Sequence, residues 1–285
     1  MKPFDILTAL LVMVIWGLNF VTAKLGVSEL PPLLFSALRF ALMAALLVPF
    51  YRPRWGQLPS LALLAFTLGV VHFGLFFIGI KGVDAATSAI TVQLQVPFSA
   101  LVAAWVFGDL LGWKRAGGMA LAFFGVALLM GEPSRPDPFS VGLIVLSAVG
   151  FALSTLVIKK MGAMHPLLVT GWIGLLGAPM LLVLSLIFES DHRAAMESAG
   201  WRGWGGVVYA AVLSSIVGHS LWYRLLRSHT MNQVVPYSLL APAIGVFSGV
   251  LLLDEPFTWH KLVGGLFTLS GVAIIQLVTA RKAVA

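Results

Sequence analysis

The sequence predicts an all-α polytopic membrane protein: ten transmembrane helices, arranged as two inverted five-helix repeats around a central cavity. Three observations carry that prediction. Hydrophobic residues make up 59% of the chain and charged residues 10%, with a mean hydropathy of +0.98, whereas soluble domains run at about 45–50% apolar and about 25% charged. The charges cluster between apolar runs of about 20 residues, the length that crosses a bilayer core as helix. Finally, one stretch is made twice. Residues 97–127 recur as residues 242–273, pairing Pro97 with Pro242, Asp109 with Asp254, Trp113 with Trp259, Gly118 with Gly264, and Gly125-Val126-Ala127 with Gly271-Val272-Ala273. Composition alone does not place an Asp, a Trp and two glycines in matching order.

The apolar runs predict spans near 4–25, 32–51, 59–81, 86–108, 112–131, 139–160, 166–188, 203–227, 231–253 and 260–280. The loops are short and hold the helix breakers: Pro31-Pro32, Arg52-Pro53-Arg54, the run from Glu132 to Pro138, and Glu255-Pro256. Val21-Thr22-Ala23 would pass as a signal-peptidase site. The run before it is long for a leader, however, and its end recurs. Lys24-Leu25-Gly26 returns as Lys160-Met161-Gly162, and Pro32-Leu33-Leu34 as Pro166-Leu167-Leu168. The first span is therefore expected to stay in the membrane, and the chain divides into two repeats, residues 1–137 and 138–285.

Five spans per repeat is an odd number, so the second copy must cross in the opposite sense to the first. Charge gives an independent reading. With the N-terminus inside, eleven Lys and Arg fall at inner ends (among them Arg52, Arg54, Lys114, Arg115, Lys159 and Lys160) and six at outer ends (Lys24, Lys81, Arg135, Arg193, Arg202 and Lys261). That excess marks the cytoplasmic face, and both termini are expected there. The formal net charge of +7 then reads as cationic loops facing anionic lipid, not as a nucleic-acid surface. The absence of cysteine excludes disulfides, thiolate metal sites and cysteine nucleophiles.

Trp16-Gly17-Leu18-Asn19-Phe20 and Phe35-Ser36-Ala37-Leu38-Arg39-Phe40 resemble the opening motifs of the EamA-type proteins of the drug/metabolite transporter superfamily. Pro97 with Asp109, and Pro242 with Leu252-Leu253-Asp254-Glu255, resemble the motif that closes each EamA repeat. There the usual residue is Glu; here the first copy has Asp109. The resemblance covers the whole chain. It implies ten helices in two inverted halves around a cavity, and export of small metabolites from the bacterial inner membrane. The members it is most similar to export cysteine and O-acetylserine, or aromatic and other amino acids.

Polar groups inside lipid are costly unless they face a cavity or a partner, so they form the candidate list. Trp16 and Asn19 share a helix face, as do His72 and Phe76, and Ser215, His219, Trp222 and Tyr223 form one stripe. Gln93 and Gln95 lie about 200° apart on an α-helix, so only one of them is expected in a given cavity. With Ser154 and Tyr237 added, the predicted substrate-binding residues are Trp16, Asn19, His72, Phe76, Gln93, Ser154, His219, Trp222, Tyr223 and Tyr237. The plainer reading stands beside each: an intramembrane Asn, Ser or Thr usually bonds a neighbouring helix or its own backbone, and a Trp can simply pack. Pro97 and Pro242 are expected to kink their helices. Arg39 lies about eight residues into its span with no acidic partner. Three fates are open to it: snorkelling to the surface, bonding backbone carbonyls, or attracting a substrate carboxylate.

No Asp or Glu falls in a span interior. That argues against cation-drug export through a membrane carboxylate, and one arginine is thin for phosphate exchange. A lumen of Trp, Phe, Tyr, Asn, Gln and His suits a net-neutral zwitterion. Other small drugs or metabolites remain the alternative cargo. Of the different classes, an intramembrane enzyme lacks a carboxylate pair or an HExxH motif, and two histidines alone hold no metal well. A channel would want a charged or carbonyl-lined filter. No cofactor or metal is called for. The expected partners are a small-molecule solute and the bilayer, and the chain is expected to act as a monomer. If export is proton-coupled, His72 and His219 are the available charge-switching groups.

Overall fold

The computed structural model describes residues 1–108, 111–133 and 136–282, so the repeat residue Asp109 lies outside the described residues, as do Ser134, Arg135 and Ala285. The main helices are α1 (Pro3–Glu29), α2 (Pro32–Leu47), α3 (Trp55–Gly82), α4 (Ala85–Val106), α5 (Gly112–Leu129), α6 (Pro138–Met161), α7 (Pro166–Phe188), α8 (Trp201–Ser228), α9 (Pro236–Leu253) and α10 (Trp259–Ala280). Eight of these are long and apolar enough to cross a membrane. The other two, α2 with 16 residues and α5 with 18, lie where the second and fifth spans were expected. The second is four residues shorter than expected, because the chain leaves the helix before Arg52-Pro53-Arg54.

The helix boundaries follow from the breakers. Pro3, Pro32, Pro138 and Pro166 open α1, α2, α6 and α7, where the missing N–H has no intrahelical acceptor to lose. Asp137 caps α6, accepting from the N–H of Ser140 at 3.0 Å; the Ser140 hydroxyl, then this N–H, hold its carboxyl below the ordinary carboxylate range. Asp254 ends α9 in the left-handed conformation at φ 53°, which Asp tolerates better than most side chains.

The repeated glycines pack α5 against α10. A Cβ at Gly118 would lie 2.8 Å from the Gly271 carbonyl, and one at Gly125 would lie 2.5 Å from the Gly264 carbonyl. The first glycine of one helix thus meets the second of the other, so the two cross antiparallel. α2 and α7 also cross antiparallel, with Gly171 against Leu47 and Gly174 against Phe40. The remaining large contacts pair α1 with α9, α4 with α6, α3 with α6, and α1 with α8. Exchanging α1–α5 with α6–α10 maps this set of pairs onto itself.

The outer surface is apolar. Phe139, Phe188, Phe247 and Leu251 are 71%, 75%, 60% and 74% exposed, a display that a soluble chain would not keep in water. Trp55, Trp105 and Trp113 are exposed at one end of the bundle and Trp201 and Trp259 at the other, as interfacial belts are. We call the first the basic end, because Arg52, Arg54, Lys159, Lys160, Arg224 and Arg227 lie there. The other is the acidic end, bearing Glu29, Asp84, Glu132, Glu189 and Glu255.

Candidate functional site

Four backbone irregularities shape the centre of the bundle. α3 winds as π-helix over Ala65–Gly74 and α8 over Tyr209–Gly218. α4 passes through a 3-10 turn at Val92–Leu94, and α9 opens in one at Val235–Leu239. Pro97 and Pro242 each occupy the third position of the α-helical segment that resumes after those turns, so their missing N–H groups fall among the first-turn donors that have no partner inside the helix.

These segments surround a cavity of about 270 Å³. Of the expected residues, Trp16, Asn19, His72, Phe76, Gln93, His219 and Pro242 line it, joined by Phe20, Arg39, Phe73, Phe151, Ser214, Ser238 and Gln276. Gln95 lines it as well as Gln93. The α-helical angle that separated them does not apply, because the chain is wound as 3-10 at Val92–Leu94 and the cavity borders the break. Four expected residues lie elsewhere. Ser154 is fully buried and donates to the Phe151 carbonyl at 2.6 Å. Trp222 packs beside Trp16 against Val12 and Met13, and Tyr237 packs in the same cluster. Tyr223 lines two further cavities instead, of about 110 and 330 Å³.

The π segments set the polar geometry. The Trp16 indole donates to the Ser214 carbonyl at 3.1 Å, and the Ser215 hydroxyl donates to the Ala210 carbonyl five residues back at 2.8 Å. His72 Nδ1 lies 2.9 Å from the Ser147 carbonyl and His219 Nδ1 lies 3.0 Å from the Ser215 carbonyl. A carbonyl only accepts, so each ring carries its proton on Nδ1 and leaves Nε2 for the cavity. Arg39 neither snorkels nor bonds a carbonyl. It is 2% exposed, and its Nη2 donates to the Ser215 hydroxyl at 2.7 Å. Its Cζ sits 4.2 Å from the Phe73 ring centre and 5.6 Å from that of Phe77, within cation–π range.

The three cavities stand in series. Arg39, Phe73, Phe151 and His219 border both the 270 and the 110 Å³ spaces. Pro166 and Tyr223 border both the 110 and the 330 Å³ spaces, and the last is walled by Arg224 and Arg227 at the basic end. The acidic end is instead knit together. Glu189 accepts from the N–H groups of Leu33 and Leu34 (2.8 and 3.1 Å), Glu255 from those of Ala85 and Ala86 (2.6 and 2.9 Å), and Glu29 from those of Gly200 and Gly203 (2.9 and 2.7 Å). Each carboxylate thus meets the positive end of a helix in the other half of the chain. Buried Lys261 joins Asp84 at 2.6 Å and Glu132 at 3.2 Å.

A multi-pass helical bundle with an apolar exterior and an internal polar cavity is the frame of a membrane carrier. The comparisons name the group. The EamA-like transporter family matches residues 3–131 and again 138–277, so the chain belongs to that family and is a transporter of small molecules. A "Probable amino-acid metabolite efflux pump" of Escherichia coli (strain K12) is 31% identical over 289 residues, covering 96% of this chain and 95% of its own length. An "Uncharacterized transporter" of Archaeoglobus fulgidus is 26% identical over 281 residues, covering 96% and 99%. A solved crystal structure of another protein shares the fold, with a TM-score of 0.67 at 16% identity and complete coverage of both chains.

Among the lining residues that went unread in the sequence are Phe73, Ser214, Phe151 and Gln276. Phe151 lies in an unbroken apolar run and carries no signal. Gln276 does carry one, as the sole Gln of the last span.

Proposed function

We propose that the protein exports amino acids and related small metabolites from the cytoplasm by alternating access, as a monomer in the bacterial inner membrane. The observation that carries this reading is the 270 Å³ cavity, with one guanidinium, several amides and imidazoles, aromatic walls and no carboxylate among its lining residues. Such a lining accepts a small solute that brings its own negative group and presents varied side chains. The size falls just under the ~300–1,000 Å³ of drug-sized ligand pockets. The efflux pumps at 31% identity support the same cargo.

Ten crossings in two inverted halves, residues 1–137 and 138–285, are part of the proposal. Antiparallel α2–α7 and α5–α10 crossings and the self-mapping helix pairs support it. The Lys/Arg bias supports cytoplasmic termini, which makes the basic end cytoplasmic and the hollow side the loading side. Cytosolic reporters fused after Ala285 and within residues 189–202 are expected to report opposite sides. In proteoliposomes, saturable counterflow of labelled phenylalanine, threonine or O-acetylserine is the expected result. Flux that does not saturate would contradict a carrier.

A further inference from the structure

We propose that Arg39 is the anchor for the solute's carboxylate, which makes it the residue that separates carboxylate-bearing substrates from their neutral analogues. This deepens the transporter reading above and rests on it.

The guanidinium is a cation placed in the middle of a membrane bundle with no counter-ion. No Asp or Glu lines either of the two cavities it borders, and every described carboxylate sits at a helix end or in a loop. A buried arginine is ordinarily paired, because an unpaired charge in a low-dielectric interior is among the most destabilising features a fold can carry. Of its five N–H donors one is used, on Ser215. Nε and Nη1 are buried and have no partner. Whichever Nη2 hydrogen the serine takes, one edge of the fork keeps two parallel N–H groups, the arrangement that grips a carboxylate in two places.

The group is also held still. The Phe73 face supports it from one side, and Ser215 is itself fixed by its bond to Ala210. Such fixing adds nothing to packing that a leucine would not supply, but it does pre-orient the donors. Its place is equally specific: Arg39 stands in the partition shared by the central cavity and the one leading to the basic end. A solute moving between them passes the fork. The central cavity also holds the complement. Asn19 Oδ1 and Gln276 Oε1 are buried acceptors without donors, and the Trp16, Phe20 and Phe76 faces stand beside them. These suit the ammonium of an α-amino acid whose carboxylate lies at Arg39.

The test is competition against counterflow in proteoliposomes. Whichever of phenylalanine, threonine and O-acetylserine the parent carries is used labelled, and it is displaced by the unlabelled acid or by its carboxamide. The expected result is that the parent prefers the acid by about tenfold or more, the size of a charge-assisted pair lost. Arg39→Gln weakens the acid and leaves the carboxamide, so the ratio falls toward one; Arg39→Lys, which keeps charge without the fork, falls between. If Arg39→Gln does not accumulate, the parent's ratio and that of Arg39→Lys decide. Equal potency of acid and carboxamide in the parent overturns the inference while leaving the carrier intact, as does an equal loss of both in the variants. Absence of saturable flux for all three solutes removes the amino-acid export reading above, and the inference with it.

Discussion

The two ends of the bundle are built differently. At the acidic end three carboxylates, Glu29, Glu189 and Glu255, each close the N-terminus of a helix belonging to the other half of the chain, and Lys261 is buried between Asp84 and Glu132. The basic end is joined in another way. The Trp172 indole donates to the Tyr51 carbonyl at 2.8 Å, and His229 lies 3.1 Å from Asp5, with hollow space between Pro166, Tyr223 and Arg224. Helix N-termini are positive, so each carboxylate stabilises the closure at the helix it meets. Under the alternating access proposed above, the difference corresponds to a conformation shut at the acidic end and hollow toward the basic one.

The largest expected effect comes from breaking the buried pair. Lys261→Met leaves Asp84 and Glu132 without their cation, and Glu132 is buried with Oε2 already unpartnered. Orphaning such a charge costs about 3–5 kcal/mol, to be read as a fall in the unfolding midpoint in detergent. A fall no greater than that of an exposed Arg193→Met control would mean that the pair carries no weight.

Next is the α5–α10 crossing. Gly125→Ala sets a methyl 2.5 Å from both the Gly264 carbonyl and the Thr268 amide, and overpacking of this kind costs about 1–3 kcal/mol. Gly117→Ala, whose Cβ meets nothing within 4 Å, is the matched control and is expected to be neutral or slightly stabilising. Equal effects at both positions would break the packing argument.

The smallest effect is at a single cap. Glu255→Ala removes the acceptor for Ala85 and Ala86, a loss of about 0.5–2 kcal/mol. Burial raises the Glu255 carboxyl above its ordinary range, opposed by those two N–H donors. A carboxyl raised in the folded state adds stability at acid pH that is lost as pH climbs through its folded value. Glu255→Gln removes that titration, so its stability relative to the parent is expected to rise as pH increases through the carboxylate region. A difference independent of pH, or of opposite slope, would contradict the burial assignment.

Much of this was legible in the chain. The apolar runs and the breakers gave the helices, because helix initiation is a local demand on residue type; the paired glycines marked the repeat, and only the fold shows that they pack α5 against α10. Trp16, Asn19, His72 and His219 were legible because polar groups in lipid need a reason. Ser154, Trp222, Tyr223 and Tyr237 met the same criterion and lie outside the central cavity, because a serine can bond its own helix and a ring can pack on a ring. What could not be read was the winding. The π segments of α3 and α8 and the 3-10 turns beside Pro97 and Pro242 rotate faces away from the α-helical period, which is how Gln93 and Gln95 come to share one cavity. Nor could the acidic-end closures be paired, since Glu189 and Leu33 meet only through the tertiary fold.

The proposed alternating access requires the acidic end to open for solute to leave. A Cβ at Gly203 would lie 3.4 Å from that of Glu29, close to the ~3.5–4.5 Å of a disulfide, and the chain has no other cysteine. Glu29→Cys with Gly203→Cys therefore locks α1 to α8 at that end when oxidised. Counterflow in proteoliposomes is expected to stop on oxidation and return on reduction, with each single variant unaffected by oxidant. Undiminished counterflow through the locked protein, with the disulfide verified by mass, would contradict the account.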